Sequence, residues 1–211
     1  MGICLLSGLK IKFRAKLKPA KREADKWRRG QFYDCGLDIK TSEGYSLGMS
    51  KFIQSASSLA TCPRPTGKEI AFLGRSNAGK SSLINSLLQH RLAKTSSKPG
   101  HTRLLNFFWD SRRELVLVDL PGYGYTMTSK ESADTWRDFI EEYLKGREHL
   151  SGYVLVMDIR RDWGPDEEAL LDWLDKNRPL PFVLALTKID KLNQSEKVAR
   201  LRYFEQFKDF F

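Results

Sequence analysis

From residue 69 onward, the chain alternates between two hydrophobic patterns. Short apolar runs predict buried strands, and these occupy residues 69–73, 152–159 and 182–187. Apolar residues spaced three or four positions apart predict helices, and these cover residues 80–89, 134–147, 166–176 and 195–207. Two more apolar runs flank a turn-like segment and predict a β-hairpin, at residues 104–109 and 114–119. Strands alternating with helices favour an α/β fold, with a mostly parallel sheet and helices on both faces.

Charge separates the amino-terminal part of the chain from this region. The 211 residues carry a formal net charge of +10, and residues 1–30 hold ten Lys or Arg against two acidic residues. We expect a basic extension over residues 1–48, a lead-in segment over 49–67 and one domain over 68–211. Three interpretations of the extension stay open: an RNA-binding arm, an organelle transit segment, or translation from a start assigned upstream of Met49. The longest apolar run, residues 180–186, is too short to span a membrane.

Residues 74–81 indicate a phosphate-binding turn. Their sequence, Gly-Arg-Ser-Asn-Ala-Gly-Lys-Ser, fits G-x-x-x-x-G-K-[ST] between a predicted strand and a predicted helix. The glycines let successive backbone N–H groups point at phosphate oxygens, and the helix amino terminus adds positive potential. We expect Lys80 to reach the terminal phosphates and the Ser81 hydroxyl to ligate Mg²⁺.

A second motif supplies metal and γ-phosphate contacts. Asp119 stands at the end of a predicted strand and begins the sequence Asp-Leu-Pro-Gly, so its carboxylate is placed to hold Mg²⁺ through a water. The backbone N–H of Gly122 is free to bond the γ-phosphate, which would make this segment sensitive to hydrolysis. Thr102, in the polar loop between the first helix and the hairpin, is the natural second hydroxyl for the metal.

The sequence Thr-Lys-Ile-Asp at residues 187–190 indicates which base is bound. The Asp190 carboxylate can accept hydrogen bonds from both N1–H and the N2 amino group of guanine, and adenine offers no such pair. Leaving this carboxylate unpaired against adenine should cost about 1–3 kcal/mol, which favours guanine. The aliphatic stem of Lys188 can lie over the base.

Together these motifs resemble the translation-factor-related P-loop GTPases and, more narrowly, the EngB/YihA/YsxC family of bacterial ribosome-assembly GTP-binding proteins. The resemblance rests on residues 74–82, 95–107, 119–125 and 187–192. It implies a three-layer GTPase domain that binds GTP with Mg²⁺, a role in maturation of the large ribosomal subunit with the pre-50S particle and rRNA as partners, and a link to cell division and septation. We expect a monomer in the bacterial cytoplasm, in preference to an organelle matrix.

On this resemblance, four segments are expected to bind the nucleotide and its metal. Their residues are Gly74, Arg75, Ser76, Asn77, Ala78, Gly79, Lys80 and Ser81; Gly100, His101, Thr102, Arg103 and Leu104; Asp119, Leu120, Pro121 and Gly122; and Thr187, Lys188, Ile189 and Asp190. The residues expected to act in catalysis are Lys80, Asn77, Thr102 and Gly122. Those expected to hold the metal are Ser81 and Thr102 directly and Asp119 through water.

The position after Gly122 departs from Ras-type GTPases, which place a water-orienting Gln there. Tyr123 has no amide, so we expect slow intrinsic hydrolysis. Asn77 resembles the Asn of potassium-activated relatives, and two interpretations stay open: K⁺ acts as an activator beside Asn77, or Asn77 only supports the loop. Arg103 and Lys98 are further candidates for stabilising charge or contacting rRNA.

The carboxyl-terminal region also departs from the family pattern, because the family's final strand and helix have no counterpart before Phe211. We therefore expect an uncovered sheet edge and an uncovered core that includes Phe207, Phe210 and Phe211, with weaker GTP binding and lower solubility than in a chain extended by a strand and helix. An alternative function is a catalytically weak module that binds RNA or the ribosome through its basic arm.

Overall fold

The computed structural model describes residues 2–6, 9–14, 49–94, 104–123 and 130–207. These residues form one mixed sheet flanked by helices. In chain order the elements are β1 (Gly2–Leu6), β2 (Leu9–Arg14), β3 (Lys51–Ala56), β4 (Lys68–Leu73), α1 (Lys80–Leu88), β5 (Leu105–Asp110), β6 (Leu115–Asp119), α2 (Lys130–Gly146), β7 (Leu150–Asp158), α3 (Pro165–Asn177), β8 (Phe182–Thr187) and α4 (Gln194–Glu205).

The eight strands lie in the order β1-β2-β8-β7-β4-β6-β5-β3. The four central strands, β8, β7, β4 and β6, run parallel, and the strands outside them pair antiparallel on both sides. The predicted α/β class is confirmed, and the predicted hairpin is the β5–β6 pair. The carboxyl ends of the central strands meet at one edge of the sheet, where ligands bind in folds of this class.

Two apolar layers cover the faces of the sheet. The first packs Leu83, Ile84 and Leu88 of α1 against the sheet, and the second contains side chains of α2, α3 and α4. Alternate residues of β6 enter the two layers, which explains why its sequence reads as a continuous apolar run. Both faces of the sheet are therefore buried, and the turn that follows β4 lies at the edge where the central strands end.

The lead-in segment contains a strand that the hydrophobic pattern does not indicate. Residues Lys51–Ala56 form β3, which pairs antiparallel with β5 and shifts register between Phe52 and Gln54. Ala56 is its one fully buried residue, because β3 lies at the sheet edge. An edge strand with so few buried positions carries little apolar periodicity, so sequence reasoning misses it.

The expectation of an uncovered edge beside β8 is wrong. Strand β2 pairs antiparallel with β8, with Lys10 opposite Leu186 and Arg14 opposite Phe182. This pairing satisfies backbone groups of β8 that would otherwise face solvent, and β1 becomes the outer strand on that side.

The aromatic residue Phe207 belongs to a packed cluster after α4. Its ring stacks on Trp163 at a centroid distance of 5.4 Å and contacts Tyr203 at 5.3 Å. Phe207 is half-buried in this cluster, and the expectation of an uncovered core around it stays a prediction; Phe210 and Phe211 lie outside the described residues. Within the described part of the chain, no helix has both the length and the apolar character needed to cross a membrane.

Candidate nucleotide-binding site

The turn between β4 and α1 has the backbone shape of a phosphate-binding loop. Gly74 and Gly79 have φ angles of 144° and 102°, and Asn77 is left-handed with φ 60°. A Cβ atom at Gly74 would lie 2.2 Å from the carbonyl oxygen of Val156, so a larger residue cannot be accommodated there. The sequence motif therefore coincides with a loop that only glycine can form at its first position.

Lys80 begins α1 and is almost fully buried beneath this loop. Its Nζ atom donates to the carbonyl oxygens of Gly74 at 3.1 Å and Arg75 at 3.3 Å. Burial lowers the pKa of the Lys80 ammonium, and the nearby carboxylate of Asp119 opposes this effect. A positive charge at this position is stabilised further when an anion binds beside it.

Asp119 ends β6 and places a carboxylate next to the start of α1. The Ser81 hydroxyl donates to its Oδ2 atom at 2.7 Å. The carboxyl group is buried, and burial raises its pKa. Among the described residues, its Oδ1 atom has no hydrogen-bond partner. A hydroxyl beside a partly unsatisfied buried carboxylate is a donor set that suits Mg²⁺, so these residues fit the expected metal.

The segment around Gly122 packs directly on the phosphate-binding loop. A Cβ atom at Gly122 would lie 2.4 Å from the backbone nitrogen of Ser76. The Ser76 N–H donates to the carbonyl oxygen of Tyr123 at 3.3 Å, and Arg75 and Tyr123 form an isolated parallel bridge. The first two sequence motifs, which are separated by α1 and the β5–β6 hairpin, are therefore in backbone contact.

The Thr-Lys-Ile-Asp segment is tied to the same loop. The Thr187 hydroxyl donates to the carbonyl oxygen of Ala78 at 2.5 Å. Lys188 is left-handed with φ 59°, and its Nζ atom donates to the carbonyl oxygen of Asn77 at 2.7 Å. Asp190 lies in the following 3₁₀ turn with its side chain 69% exposed, so its carboxylate is accessible to a ligand.

A cavity of about 290 Å³ opens beside the loop and is bordered by Asn77, Tyr123, Asp158 and Lys188 among other residues. Burial alone would raise the pKa of Asp158, but hydrogen bonds from Arg160 and Lys188 outweigh burial and lower it. The ionised Asp158 accepts from Arg160 at 2.7 Å and lies 3.1 Å from the Lys188 ammonium. Sequence reasoning does not find Asp158, because a single acidic residue at a strand end is a weak signal.

Glu167 is the second residue that sequence reasoning misses. It lies in the first turn of α3 and is only 1% exposed. Its Oε1 atom accepts from Arg75 Nε at 2.9 Å and from the Tyr123 hydroxyl at 3.0 Å, and its Oε2 atom accepts from the Gly164 N–H at 3.2 Å. Acidic residues in a first helical turn usually indicate a solvent-exposed cap, so the sequence offers no sign of this burial.

One of the four expected segments lies almost entirely outside the described residues. Lys98, Gly100, His101, Thr102 and Arg103 lie outside the described residues. Leu104 is described and exposed just before β5, and the other three segments converge around the loop between β4 and α1.

Comparison with known proteins agrees with this geometry. A sequence model of the family described as 50S ribosome-binding GTPase matches residues 69–188. A probable GTP-binding protein EngB from Desulfatibacillum aliphaticivorans is 49% identical over 152 residues, which covers 72% of this chain and 73% of that protein. The chain belongs to the EngB family. Another EngB protein, from Bdellovibrio bacteriovorus, is 47% identical over 146 residues, with 69% and 72% of the two chains covered.

The fold comparison extends beyond EngB. A crystal structure of Era in complex with MgGDPNP and nucleotides 1506–1542 of 16S ribosomal RNA matches with a TM-score of 0.55 and 21% identity, over 68% of this chain and 47% of the Era chain. That match shows a shared fold. Membership of the EngB family, together with the match to the GTPase family model, identifies the chain as a P-loop GTPase that binds guanine nucleotides and hydrolyses GTP.

Proposed function

We propose that this EngB protein binds GTP together with Mg²⁺ and acts as a slowly hydrolysing switch in assembly of the large ribosomal subunit. The observation that carries the nucleotide part is the buried Asp119 carboxylate beside Lys80, with one oxygen bonded to Ser81 and the other unpartnered among the described residues. Such a group is costly to bury unless a ligand completes it. A water on the Mg²⁺ of a bound nucleotide would donate to that oxygen and complete it.

Each segment then has one task. Ser81, Thr102 and, through water, Asp119 would hold the metal, which neutralises charge on the β- and γ-phosphates. Lys80 supplies a buried positive charge at the phosphates, and the Gly122 N–H bonds the γ-phosphate. The remaining nucleotide contacts are those expected of Gly74–Ser81, Gly100–Leu104, Asp119–Gly122 and Thr187–Asp190, with Asp190 selecting guanine.

Slow hydrolysis is supported by the environment of Tyr123. Its hydroxyl donates to Glu167, and burial together with the neighbouring Glu167 charge raises the pKa of the phenol. The side chain that follows Gly122 is therefore engaged with α3 and has no amide to orient a water.

Potassium activation is a separate part of the proposal. The Asn77 side chain is exposed at the loop, and its left-handed backbone supports the loop shape in either interpretation. We expect hydrolysis to be faster in KCl than in NaCl at equal ionic strength. Equal rates would leave Asn77 with the role of supporting the loop.

The ribosomal role is supported by the description of the matching family, 50S ribosome-binding GTPase. The further parts of the proposal are assembly of the large subunit in the bacterial cytoplasm and a consequence for cell division and septation. Co-sedimentation with 50S particles should be stronger with a non-hydrolysable GTP analogue than with GDP. Equal co-sedimentation in the two states would contradict the switch.

Calorimetry tests the nucleotide site directly. GDP should bind in the presence of Mg²⁺, EDTA should weaken binding, and ATP should not compete. Asp190→Asn should weaken GDP binding by about tenfold or more, because the carboxylate accepts two guanine donors. Exposed Asp172→Asn on α3 is the matched control and should bind as the native protein does. Absence of heat with guanine nucleotides would overturn the proposal.

The RNA-binding module remains the second candidate, because of the charge of residues 1–30. Removing residues 1–48 should abolish salt-dependent RNA binding if the arm carries it. Because this deletion also removes β1 and β2 from the sheet, GDP binding by the shortened chain is the check that the domain still folds. RNA binding that survives this deletion would exclude the arm as its source.

A further inference from the structure

A buried carboxylate of α3 bonds to residues of two nucleotide-binding segments. Glu167 of α3 accepts hydrogen bonds from Arg75 in the phosphate-binding loop and from Tyr123 just after Gly122. Arg75 is anchored a second time, since its Nη2 atom donates to Asp166 at 2.8 Å. The contacts cross 92 and 44 residues of sequence, so they fix tertiary arrangement and do not belong to any local motif.

The network is complete in its hydrogen bonding. Glu167 receives one donor from a guanidinium, one from a phenol and one from the Gly164 backbone. The hydrogen bond with Glu167 raises the pKa of Arg75, and burial raises the pKa of Tyr123, so the guanidinium stays charged and the phenol keeps its proton at neutral pH. Both donors therefore remain available to the same carboxylate oxygen.

Tyr123 is held at both of its ends. Its hydroxyl is bonded to Glu167, while its carbonyl oxygen accepts from the Ser76 N–H at 3.3 Å. Gly122 precedes it directly and lies so close to Ser76 that a Cβ atom would overlap the backbone. Fixing Tyr123 therefore restricts where the Gly122 N–H can point.

We propose that Glu167 is a positioning residue for GTP hydrolysis, which acts through Tyr123 and Arg75 to hold Gly122 against the phosphate-binding loop. The inference rests on the proposed contact between Gly122 and the γ-phosphate. GDP has no γ-phosphate, so loss of this positioning affects GTP and leaves GDP binding in place. That asymmetry separates positioning from a general effect on the fold.

Tyr123→Phe is the sharpest test, because it removes one hydroxyl and keeps the ring. We expect the affinity for a non-hydrolysable GTP analogue and the single-turnover rate with GTP each to fall by about tenfold, with GDP affinity changed less than about twofold. Tyr153→Phe is the matched control, since the Tyr153 phenol donates to the carbonyl oxygen of Arg178 at 3.1 Å, a contact outside the nucleotide site. It should leave all three measurements unchanged.

Glu167→Gln provides an independent second variant. Its loss in GTP-analogue affinity should match or exceed that of Tyr123→Phe. Glu167→Gln removes the charge that pairs with Arg75 but keeps an oxygen that can accept from the Tyr123 hydroxyl. The double variant should therefore lose more than either single variant but less than the product of the two separate losses. If Glu167→Gln does not bind GDP, Tyr123→Phe decides the question alone.

Two results would overturn the proposal: GTP-analogue affinity and hydrolysis rate within about twofold of the native protein in Tyr123→Phe, or equal losses for GDP and the analogue. Failure of the native protein to bind any guanine nucleotide would instead contradict the proposed function. The two failures are thus distinguishable.

Discussion

Glu69 and Asp119 are both almost completely buried carboxylates, on the neighbouring parallel strands β4 and β6, but they lie toward opposite ends of the sheet. Glu69 accepts from the Tyr143 hydroxyl at 2.9 Å and from Arg147 at 2.7 Å. Asp119 receives the Ser81 hydroxyl on one oxygen, and the other has no partner among the described residues. Burial alone does not identify a ligand site in this domain; an unsatisfied lone pair on a buried carboxylate does.

Glu69, whose carboxylate is fully hydrogen-bonded, stabilises the fold through Arg147. Arg147 also donates to the carbonyl oxygen of Pro63 at 2.7 Å, which ties the lead-in segment to the end of α2. The Arg147 side chain is itself largely buried. Both oxygens of the Glu69 carboxylate therefore have protein partners, whereas at the other end of the sheet Asp119 Oδ1 has none among the described residues.

The largest effect is expected on stability, from Glu69→Gln. Removing the charge leaves the buried Arg147 guanidinium uncompensated, which should lower the free energy of unfolding by about 3–5 kcal/mol. Urea denaturation measures this change, and exposed Glu168→Gln should alter stability by less than about 0.5 kcal/mol. The folded Glu69→Gln protein should bind GDP with the affinity of the native protein. A selective loss of GDP binding would show that Glu69, like Asp119, contributes to the nucleotide site.

Asp119→Asn is expected to affect function more than folding. The amide keeps the size of the side chain but removes the charge that helps hold the metal, so Mg²⁺ affinity in the GTP complex should fall by about 10–100-fold. Titrating Mg²⁺ against nucleotide release measures this loss. An Asp119→Asn protein with an undiminished affinity for Mg²⁺ would show that the open oxygen has no part in metal binding.

Comparing the native protein with Asp119→Asn at different pH values measures how much the burial of a charged carboxylate at position 119 destabilises the fold. Burial raises the pKa of Asp119 above its ordinary value of 3.8, so the stability that its proton contributes is present below that value and is lost as pH rises through the folded pKa. The Asp119→Asn variant has no titrating group at this position and therefore lacks this pH dependence. Without nucleotide, the free energy of unfolding of Asp119→Asn should exceed that of the native protein by the largest amount at neutral pH, where Asp119 is charged.

This advantage should shrink as the pH is lowered toward 3.8. Urea denaturation of both proteins across this range measures the advantage, and titrating groups that do not interact with Asp119 cancel in the difference. A difference that is independent of pH would mean that Asp119 is not penalised by burial.

The smallest effect is expected from Tyr143→Phe. It removes one neutral donor from Glu69 and leaves the Arg147 contacts in place, so stability should fall by about 1 kcal/mol. Thermal unfolding monitored by calorimetry can resolve this change. A loss as large as that of Glu69→Gln would show that the Tyr143 phenol, and not the ion pair with Arg147, provides most of the stabilisation at Glu69.

Sequence reasoning predicts the parts of the site that depend on local spacing. The loop before α1, the Asp119–Gly122 segment and the Thr187–Asp190 segment each follow a strand whose hydrophobic run is readable, so their convergence at one sheet edge can be expected. Their individual roles stay predictions. The α/β class is equally accessible, because its strands are buried on both faces and its helices have apolar periodicity.

What sequence reasoning misses depends on contacts between distant residues. Nothing near Glu167 indicates that it meets Arg75, 92 residues earlier. The same applies to β2, whose pairing with β8 joins residues at opposite ends of the chain. Strand β3 is missed for a different reason, since a polar edge strand has no clear periodicity.

Lys188 has a consequence for the thermodynamics of association. Its ammonium bridges the Asn77 carbonyl oxygen and Asp158, and the neighbouring Thr187 hydroxyl is bonded to Ala78. The loop that recognises the purine and the loop that receives the phosphates are therefore fastened together by the protein alone. Two independent loops would lose conformational entropy when a ligand binds. Here much of that entropy is already lost during folding, so the nucleotide binds to a preorganised site.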